Sequence, residues 1–179
     1  MRVIAGEFRS RRLQSVEGTE VRPTPDRLRE SLFNILQTRL AGMVFVDAYA
    51  GTGAVGLEAL SRGARRVLFI ERNKEALRVL FENIQSLGVQ GRKAIIKRKA
   101  SEALRTIEAD IVFLDPPFTV PKEFDAALTA VAETAVAETA VALVIVQHPP
   151  RPVLADEYGP LRRSRVVKQG DNWLSFYER

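Results

Sequence analysis

Short apolar runs alternate with longer stretches whose apolar positions recur every three to four residues, from about residue 44 onward. Apolar runs bounded by glycine, proline or polar residues predict buried strands, whereas the longer spacing predicts amphipathic helices. The predicted strands are 44–47, 67–70, 94–96, 111–114, 141–147, 165–169 and 173–177. The predicted helices are 54–62, 74–87, a short one from 101, and 124 to about 138. This order predicts an α/β fold with a mainly parallel sheet covered on both faces.

The first forty residues follow a different pattern from the rest. Residues 2–14 read as two short strands around Gly6 and a basic turn, which predicts a β-hairpin. Thr24 is predicted to cap a following helix, with Pro25 in its first position. We therefore expect an N-terminal hairpin and helix, 1–40, ahead of the α/β domain, 41–179.

Composition narrows the function classes. The chain has 179 residues and 46% hydrophobic residues, which fits one folded domain. It has no cysteine, and His148 is its one histidine, so we expect no disulfide, no thiolate nucleophile and no metal site. There is no long apolar run and no signal-peptide pattern, so we expect a cytoplasmic protein with no membrane contact.

The charge is basic and concentrated in arginine. The net charge is +5 and the isoelectric point about 9.9. Guanidinium groups match the geometry of phosphate, and a helix N-terminus adds attraction for anions. The alternative is a solvated basic face with no partner. The residues that we predict to contact RNA are Arg9, Arg11 and Arg12 in the basic turn, with Arg22, Thr24 and Arg27 around the helix start.

A glycine turn follows the first strand of the α/β domain. Residues 51–56 match G-x-G-x-x-G, and Glu71 ends the next strand, where it suits ribose hydroxyls. Nicotinamide dinucleotides use the same pattern. Asp47, four residues before the turn, favours the cationic tail of S-adenosylmethionine over a pyrophosphate. The predicted cofactor-binding residues are Asp47, Tyr49, Ala50, Gly51, Thr52, Gly53, Glu71 and Arg72.

A second motif, Asp115-Pro116-Pro117-Phe118, follows the strand 111–114. A carboxylate and a backbone carbonyl that accept both protons of an exocyclic amine would leave its lone pair free for a methyl group. Prolines fix such a turn and offer no competing N–H, while Phe118 is suited to stack on a flipped base. The pattern predicts methyl transfer from S-adenosylmethionine to the amine of a base, with these four residues as the catalytic set. An ordinary turn at a strand end is the alternative.

Together these motifs resemble the RsmD family of bacterial 16S ribosomal RNA guanine-N2 methyltransferases. The matching segments are 2–6, 12–13, 22–36, 47–64 and 115–118. The start of the helix at Arg22-Pro23-Thr24, combined with the glycine turn, is the specific part of the match. The resemblance implies a Rossmann-like seven-stranded S-adenosylmethionine-dependent methyltransferase fold with an N-terminal β-hairpin extension. We also expect that residues 1–40 contact RNA, that 41–179 form the methyltransferase domain, and that the protein is a monomer.

The implied substrate is 16S ribosomal RNA, in the small subunit or an assembly intermediate of it. Family members often carry Phe and Ser where this chain has Tyr49 and Thr52. They also often carry an acid after the third strand to bind the adenine amine. In this chain Ser101 stands in that region, and we predict it as the adenine contact. An adenine-N6 DNA methyltransferase is the alternative within the class, although the chain has no obvious target-recognition domain. A nicotinamide oxidoreductase would need a Tyr-x-x-x-Lys base, which is absent. A non-catalytic RNA-binding assembly factor would not need the carboxylate motif.

Overall fold

The computed structural model describes residues 1–16, 24–134, 142–151 and 153–179. The helices are α1 (Asp26–Leu36), α2 (Ala54–Ser61), α3 (Lys74–Leu87), α4 (Ala100–Ala103) and α5 (Lys122–Thr134). The strands are β1 (Val44–Ala48), β2 (Arg66–Ile70), β3 (Lys93–Ile96), β4 (Ile111–Leu114), β5 (Leu143–His148), β6 (Glu157–Tyr158), β7 (Leu161–Gln169) and β8 (Asn172–Glu178). Within these ranges, no helix is long and apolar enough to cross a bilayer.

The strands form one mixed sheet in the order β3-β2-β1-β4-β5-β8-β7-β6. Neighbours from β3 to β5 pair in parallel, whereas β8 runs antiparallel to both β5 and β7. The predicted α/β fold is confirmed, and each of the seven predicted strands has its counterpart. The two-residue β6 at the sheet edge was not predicted. Residues 135–138 of the predicted last helix and residue 141 of the predicted fifth strand lie outside the described residues.

The central parallel strands β1, β4 and β5 are buried on both faces, and successive residues point to opposite sides. Phe45 and Phe113 pack in one apolar cluster with α1, α2 and α3. Val46 and Val112 pack in the other cluster with α4 and α5. The strand order reverses between β1 and β4, so the carboxyl ends of these two strands border a crevice, which is where open α/β sheets bind ligands.

The N-terminal segment is a minimal hairpin. Arg2 and Arg12 form one antiparallel bridge, and the Val3 amide donates to the Arg11 carbonyl at 3.0 Å. The segment lies on α2, where the Glu58 carboxylate accepts hydrogen bonds from Ile4 (2.7 Å) and Ala5 (3.0 Å). Its buried side chains belong to the same apolar cluster as α1 and the sheet. A domain boundary at residue 40 stays a prediction.

Gly6 makes the closest approach between this segment and α2. Its φ is +85°, and an added Cβ would lie 1.9 Å from the carbonyl oxygen of Ser61. We expect Gly6→Ala to lower the free energy of unfolding by about 2–5 kcal/mol, since it adds backbone strain and a clash with main-chain atoms. Gly42→Ala is the matched control, because Gly42 has φ +78° but open space around it. Equal losses in the two variants, measured by urea unfolding, would contradict this packing.

Thr24 does not cap α1, so that prediction was wrong. The helix begins at Asp26 with Pro25 as its N-cap, and the Pro25 carbonyl accepts from the amides of Leu28 (2.9 Å) and Arg29 (3.0 Å). Pro25 has a non-helical ψ of 140°, so Thr24 lies one residue before the N-cap and outside the helix. The Thr24 hydroxyl instead donates to Oδ2 of Asp115 at 3.3 Å.

Candidate active site

Three carboxylates lie at neighbouring strand ends in the crevice. Asp47 is the penultimate residue of β1, Glu71 follows β2, and Asp115 follows β4. The charges of Asp115 and Glu71 both raise the pKa of Asp47, so both groups lie within electrostatic reach of it. The structure therefore brings together the acids of both sequence motifs.

The turn after β1 requires left-handed backbone and close packing. Tyr49 has φ +64°, Gly51 +55° and Gly53 +84°. A Cβ at Gly53 would lie 2.3 Å from Leu80, and one at Gly56 would lie 2.4 Å from Phe69. These two glycines allow α2 to pack on its neighbours. A Cβ at Gly51 would meet no described atom within 4 Å, so the backbone there borders open space that a ligand could fill.

Asp47 is buried, and its Oδ2 accepts a hydrogen bond from the Gly56 amide at 2.7 Å. Burial raises the pKa of this carboxyl well above its usual range, and the nearby charges of Asp115 and Glu71 add to the rise. The Gly56 hydrogen bond opposes it. A cationic ligand group beside these acids would stabilise their charged forms, whereas a pyrophosphate would be repelled.

Glu71 organises the backbone around the turn. Its carboxylate accepts from the amides of Gly51 (2.8 Å), Arg72 (2.7 Å) and Asn73 (2.7 Å). A carboxylate has about four lone-pair sites, so a ribose hydroxyl can still bind there. The Arg72 side chain is exposed, and Asn73 caps α3.

Asp115 is half-buried at the end of β4. Burial raises its pKa to about 7, and the hydrogen bond from Thr24 acts in the opposite direction. Among the described residues, no group donates to its second oxygen, Oδ1, or to the Pro116 carbonyl. Pro116 is buried and Pro117 exposed, and the Pro117 carbonyl accepts from the Val120 amide at 3.0 Å, which closes the turn.

The Phe118 ring packs against the start of α5. Its centroid lies 6.3 Å from that of Phe124, with the planes tilted by 41°. Phe124 is fully buried, whereas Phe118 is half-buried. Phe118 is thus anchored in the core next to the candidate acceptors.

Four side chains near the cleft form contacts that the sequence did not predict, and only Tyr49 among them was a predicted site residue. The Tyr49 hydroxyl donates to Glu123 Oε2 at 2.9 Å, and Lys99 Nζ lies 3.2 Å from Glu123 Oε1. Burial raises the pKa of Tyr49, and the bond to Glu123 raises it further. Asn83 in α3 donates to the Thr52 carbonyl at 3.0 Å. Lys99 lies between β3 and α4, and Glu123 lies in the first turn of α5, so neither belongs to a motif that the sequence singles out.

The other predicted residues fall in distinct places. Ser101 is buried in α4, the helix that comes after β3 in the chain, and Ala50 is buried in the glycine turn. Arg9, Arg12 and Arg27 are exposed. Arg11 donates to the Ser86 carbonyl at 2.6 Å, so part of its guanidinium binds the end of α3. Arg22 lies outside the described residues.

The sheet order and the acid-lined glycine turn define the class as a Rossmann-like methyltransferase fold of the S-adenosylmethionine-dependent type. A structure titled "Putative methyltransferase yhhF from Escherichia coli" superposes with a TM-score of 0.84 at 28% identity, covering 100% of this chain and 97% of that one. The family described as "Conserved hypothetical protein 95" matches residues 1–178. The chain belongs to this family, which is the RsmD family.

Two curated relatives agree with this assignment. The Bacillus subtilis protein named "Putative rRNA methyltransferase YlbH" is 31% identical, over 100% of this chain and 99% of its own length. The Haemophilus influenzae protein named "Ribosomal RNA small subunit methyltransferase D" is 38% identical over 66% of this chain. That alignment covers 64% of the Haemophilus protein, slightly under two thirds of its length.

Proposed function

We propose that this protein uses S-adenosylmethionine to methylate the exocyclic N2 amine of a guanine in 16S ribosomal RNA of the small subunit. One observation carries the proposal. Asp115 Oδ1 and the Pro116 carbonyl are adjacent acceptors that no described residue uses, at the strand end that faces the glycine turn across the crevice. This pair matches the two protons of an amine.

The cleft fits S-adenosylmethionine on two grounds. Asp47 and Glu71 favour a cationic ligand, and the open space in front of Gly51 admits it close to the backbone. Asp47, the turn from Tyr49 to Gly53 and Glu71 would hold the cofactor, with Arg72 and Ser101 at the edges of the site. When bound, the cofactor supplies an electrophilic methyl group.

The chemistry of the protein is orientation and proton handling. Asp115 and the Pro116 carbonyl accept the two N–H groups, so the nitrogen lone pair is turned away from the base and toward the cofactor site. As the nitrogen gains its methyl group it must lose one proton, and Asp115 is the nearest described base. A pKa of about 7 suits a group that accepts a proton near neutral pH. The Phe118 ring stacks on the flipped guanine.

The printed names of the two curated relatives support ribosomal RNA as the substrate. Guanine N2 as the target rests on the family resemblance, and adenine N6 would present the same amine chemistry to Asp115. The assay is transfer of a labelled methyl group from S-adenosylmethionine to small subunits from cells that lack the gene. N2-methylguanosine in the digest supports the proposal, whereas labelled N6-methyladenosine or no transfer contradicts it.

The exposed arginines of the N-terminal segment are proposed to bind RNA phosphates. Changing Arg9, Arg11 and Arg12 together to Ala should weaken binding of small subunits and flatten its salt dependence by roughly one unit of slope per lost phosphate contact. Affinity for S-adenosylmethionine should not change, since these residues lie outside the cleft. The measurement is binding of small subunits across a salt titration.

The matched control changes Arg65 and Arg66 to Ala, because these exposed arginines lie at the amino end of β2 and are not among the residues proposed to bind RNA. If the triple variant and the control bind subunits alike at every salt concentration, the RNA surface lies elsewhere. Arg11 also binds the end of α3, so thermal melting of the triple variant is measured alongside.

A further inference from the structure

Thr24 links the N-terminal segment to the candidate catalytic carboxylate. Its side chain is 8% exposed, and its hydroxyl lies 3.3 Å from Asp115 Oδ2, across 91 positions of sequence. A hydroxyl has one proton to donate, so this contact occupies one carboxylate oxygen and leaves Oδ1 for another donor. Hydrogen bonds at catalytic groups are often long before substrate binds and tighten in the complex.

The surroundings of Asp115 make this contact consequential. The charge of Asp115 acts on Asp47 of β1, which is itself an acid. Burial disfavours the carboxylate form of Asp115, and Thr24 is the one described group found to favour it. The bond from Thr24 therefore works against the effect of burial.

Thr24 is also held rigidly. Pro25 restricts the backbone of the residue before it to extended conformations. The helix that follows is anchored by Leu28 and Leu32, which are each 1% exposed in the core next to the sheet. Arg27 is exposed in the first turn of the same helix. A nucleic acid bound at Arg27 would thus contact the element that aims the hydroxyl.

We propose that Thr24 is a positioning residue, which orients the Asp115 carboxylate through Oδ2 so that Oδ1 and the Pro116 carbonyl form the paired acceptor for the amine. The inference rests on the proposed methyl transfer. It assigns to Thr24 a role different from an RNA contact. An RNA contact would change the affinity for the substrate, whereas a positioning residue changes turnover and the pH at which turnover is lost.

The test compares Thr24→Val, which keeps the shape without the hydroxyl, with Thr24→Ser, which keeps the hydroxyl. For Thr24→Val we expect kcat to fall about tenfold, with KM for small subunits unchanged within about twofold, as for loss of a hydrogen bond to a charged group. Removing the donor raises the pKa of Asp115, so the acidic limb of the rate profile should move to higher pH. Thr24→Ser should match the wild type in kcat and in the position of the limb.

Two kinetic outcomes would overturn the inference. One is a Thr24→Val enzyme with wild-type kcat and an unmoved acidic limb. The other is a raised KM with an unmoved limb, which would make Thr24 an RNA contact. Thr24→Ala, which also lacks the hydroxyl, replaces Thr24→Val if the latter fails to fold by thermal melting.

A second measurement separates this inference from the proposed function. Carbon-13 NMR follows the titration of the Asp115 carboxyl without substrate, and its signal is assigned by its absence in Asp115→Asn. A higher pKa in Thr24→Val than in the wild type supports the role of Thr24 even if the wild type transfers no methyl group. Equal pKa values in the two proteins overturn it even if methyl transfer is established.

Discussion

Asp115→Ala should abolish methyl transfer while leaving S-adenosylmethionine bound. The variant removes the acceptor that orients the amine and the base that takes its proton, so turnover should fall by about 10²–10⁴-fold. Cofactor binding should persist, because the proposed cofactor contacts lie at the ends of β1 and β2, whereas Asp115 lies at the end of β4. Calorimetry with the cofactor and a labelled-methyl assay on small subunits measure the two effects separately.

The stability of this variant distinguishes a catalytic loss from unfolding. Asp115 has a pKa raised to about 7 in the folded protein, above its unfolded value, so its ionisation destabilises the fold as pH rises through that range. At pH 8, Asp115→Ala should therefore be at least as stable as the wild type. Asp171→Ala, an exposed acid in the turn before β8, is the control with unchanged activity. Near wild-type turnover in folded Asp115→Ala would exclude the proposed role.

Glu71→Ala should weaken cofactor binding far more than RNA binding. A charge-assisted hydrogen bond to a ribose is worth about 1.5–3 kcal/mol, which corresponds to roughly a ten- to hundredfold loss of affinity. The structure strengthens this expectation, because the same carboxylate fixes the amide of Gly51 at 2.8 Å and so shapes the turn. Calorimetric titration with S-adenosylmethionine gives the Kd.

Glu75→Ala is the matched control, since Glu75 is an exposed acid in the first turn of α3. It should leave the Kd for the cofactor unchanged. If Glu71→Ala binds the cofactor as tightly as this control, then Glu71 only accepts hydrogen bonds from the backbone and does not contact the cofactor. Preferential binding of NADH by the wild type would instead favour the oxidoreductase alternative.

The central strands β1, β4 and β5 were predictable because they are buried on both faces. Runs such as 111–114 are wholly apolar and end at polar or glycine residues, a pattern that favours a buried strand over other secondary structure. β6 was missed because Glu157 and Tyr158 form a two-residue edge strand with no apolar run. Pairing of so short a strand depends on its neighbour β7, which a local pattern does not reveal.

Two arginines show what the sequence pattern does not predict. Arg29 looks like its exposed neighbour Arg27, yet it is fully buried and donates to the Arg2 carbonyl at 2.9 Å. Arg92 belongs to a basic cluster in sequence, but it bonds to Glu7 at 2.9 Å and to two main-chain carbonyls. Such long-range contacts decide whether an arginine is available to bind RNA, and they cannot be predicted from composition or local sequence.

In the cleft, the motifs located the acids but not their partners. Asp47, Glu71 and Asp115 were predicted from their positions at strand ends. The contacts of Thr24 with Asp115 and of Tyr49 with Glu123 join residues 91 and 74 positions apart, so they depend on the assembled fold. The roles of the motif residues in binding and catalysis remain predictions.

Mass spectrometry of 16S ribosomal RNA nucleosides, from cells with and without the gene, tests the central claim most directly. We expect deletion to remove N2-methylguanosine from one site in the RNA. Expression of the wild-type chain should restore it, and expression of Asp115→Ala should not. Unchanged N2-methylguanosine in the deletion strain, with every site fully methylated, would contradict the proposed function.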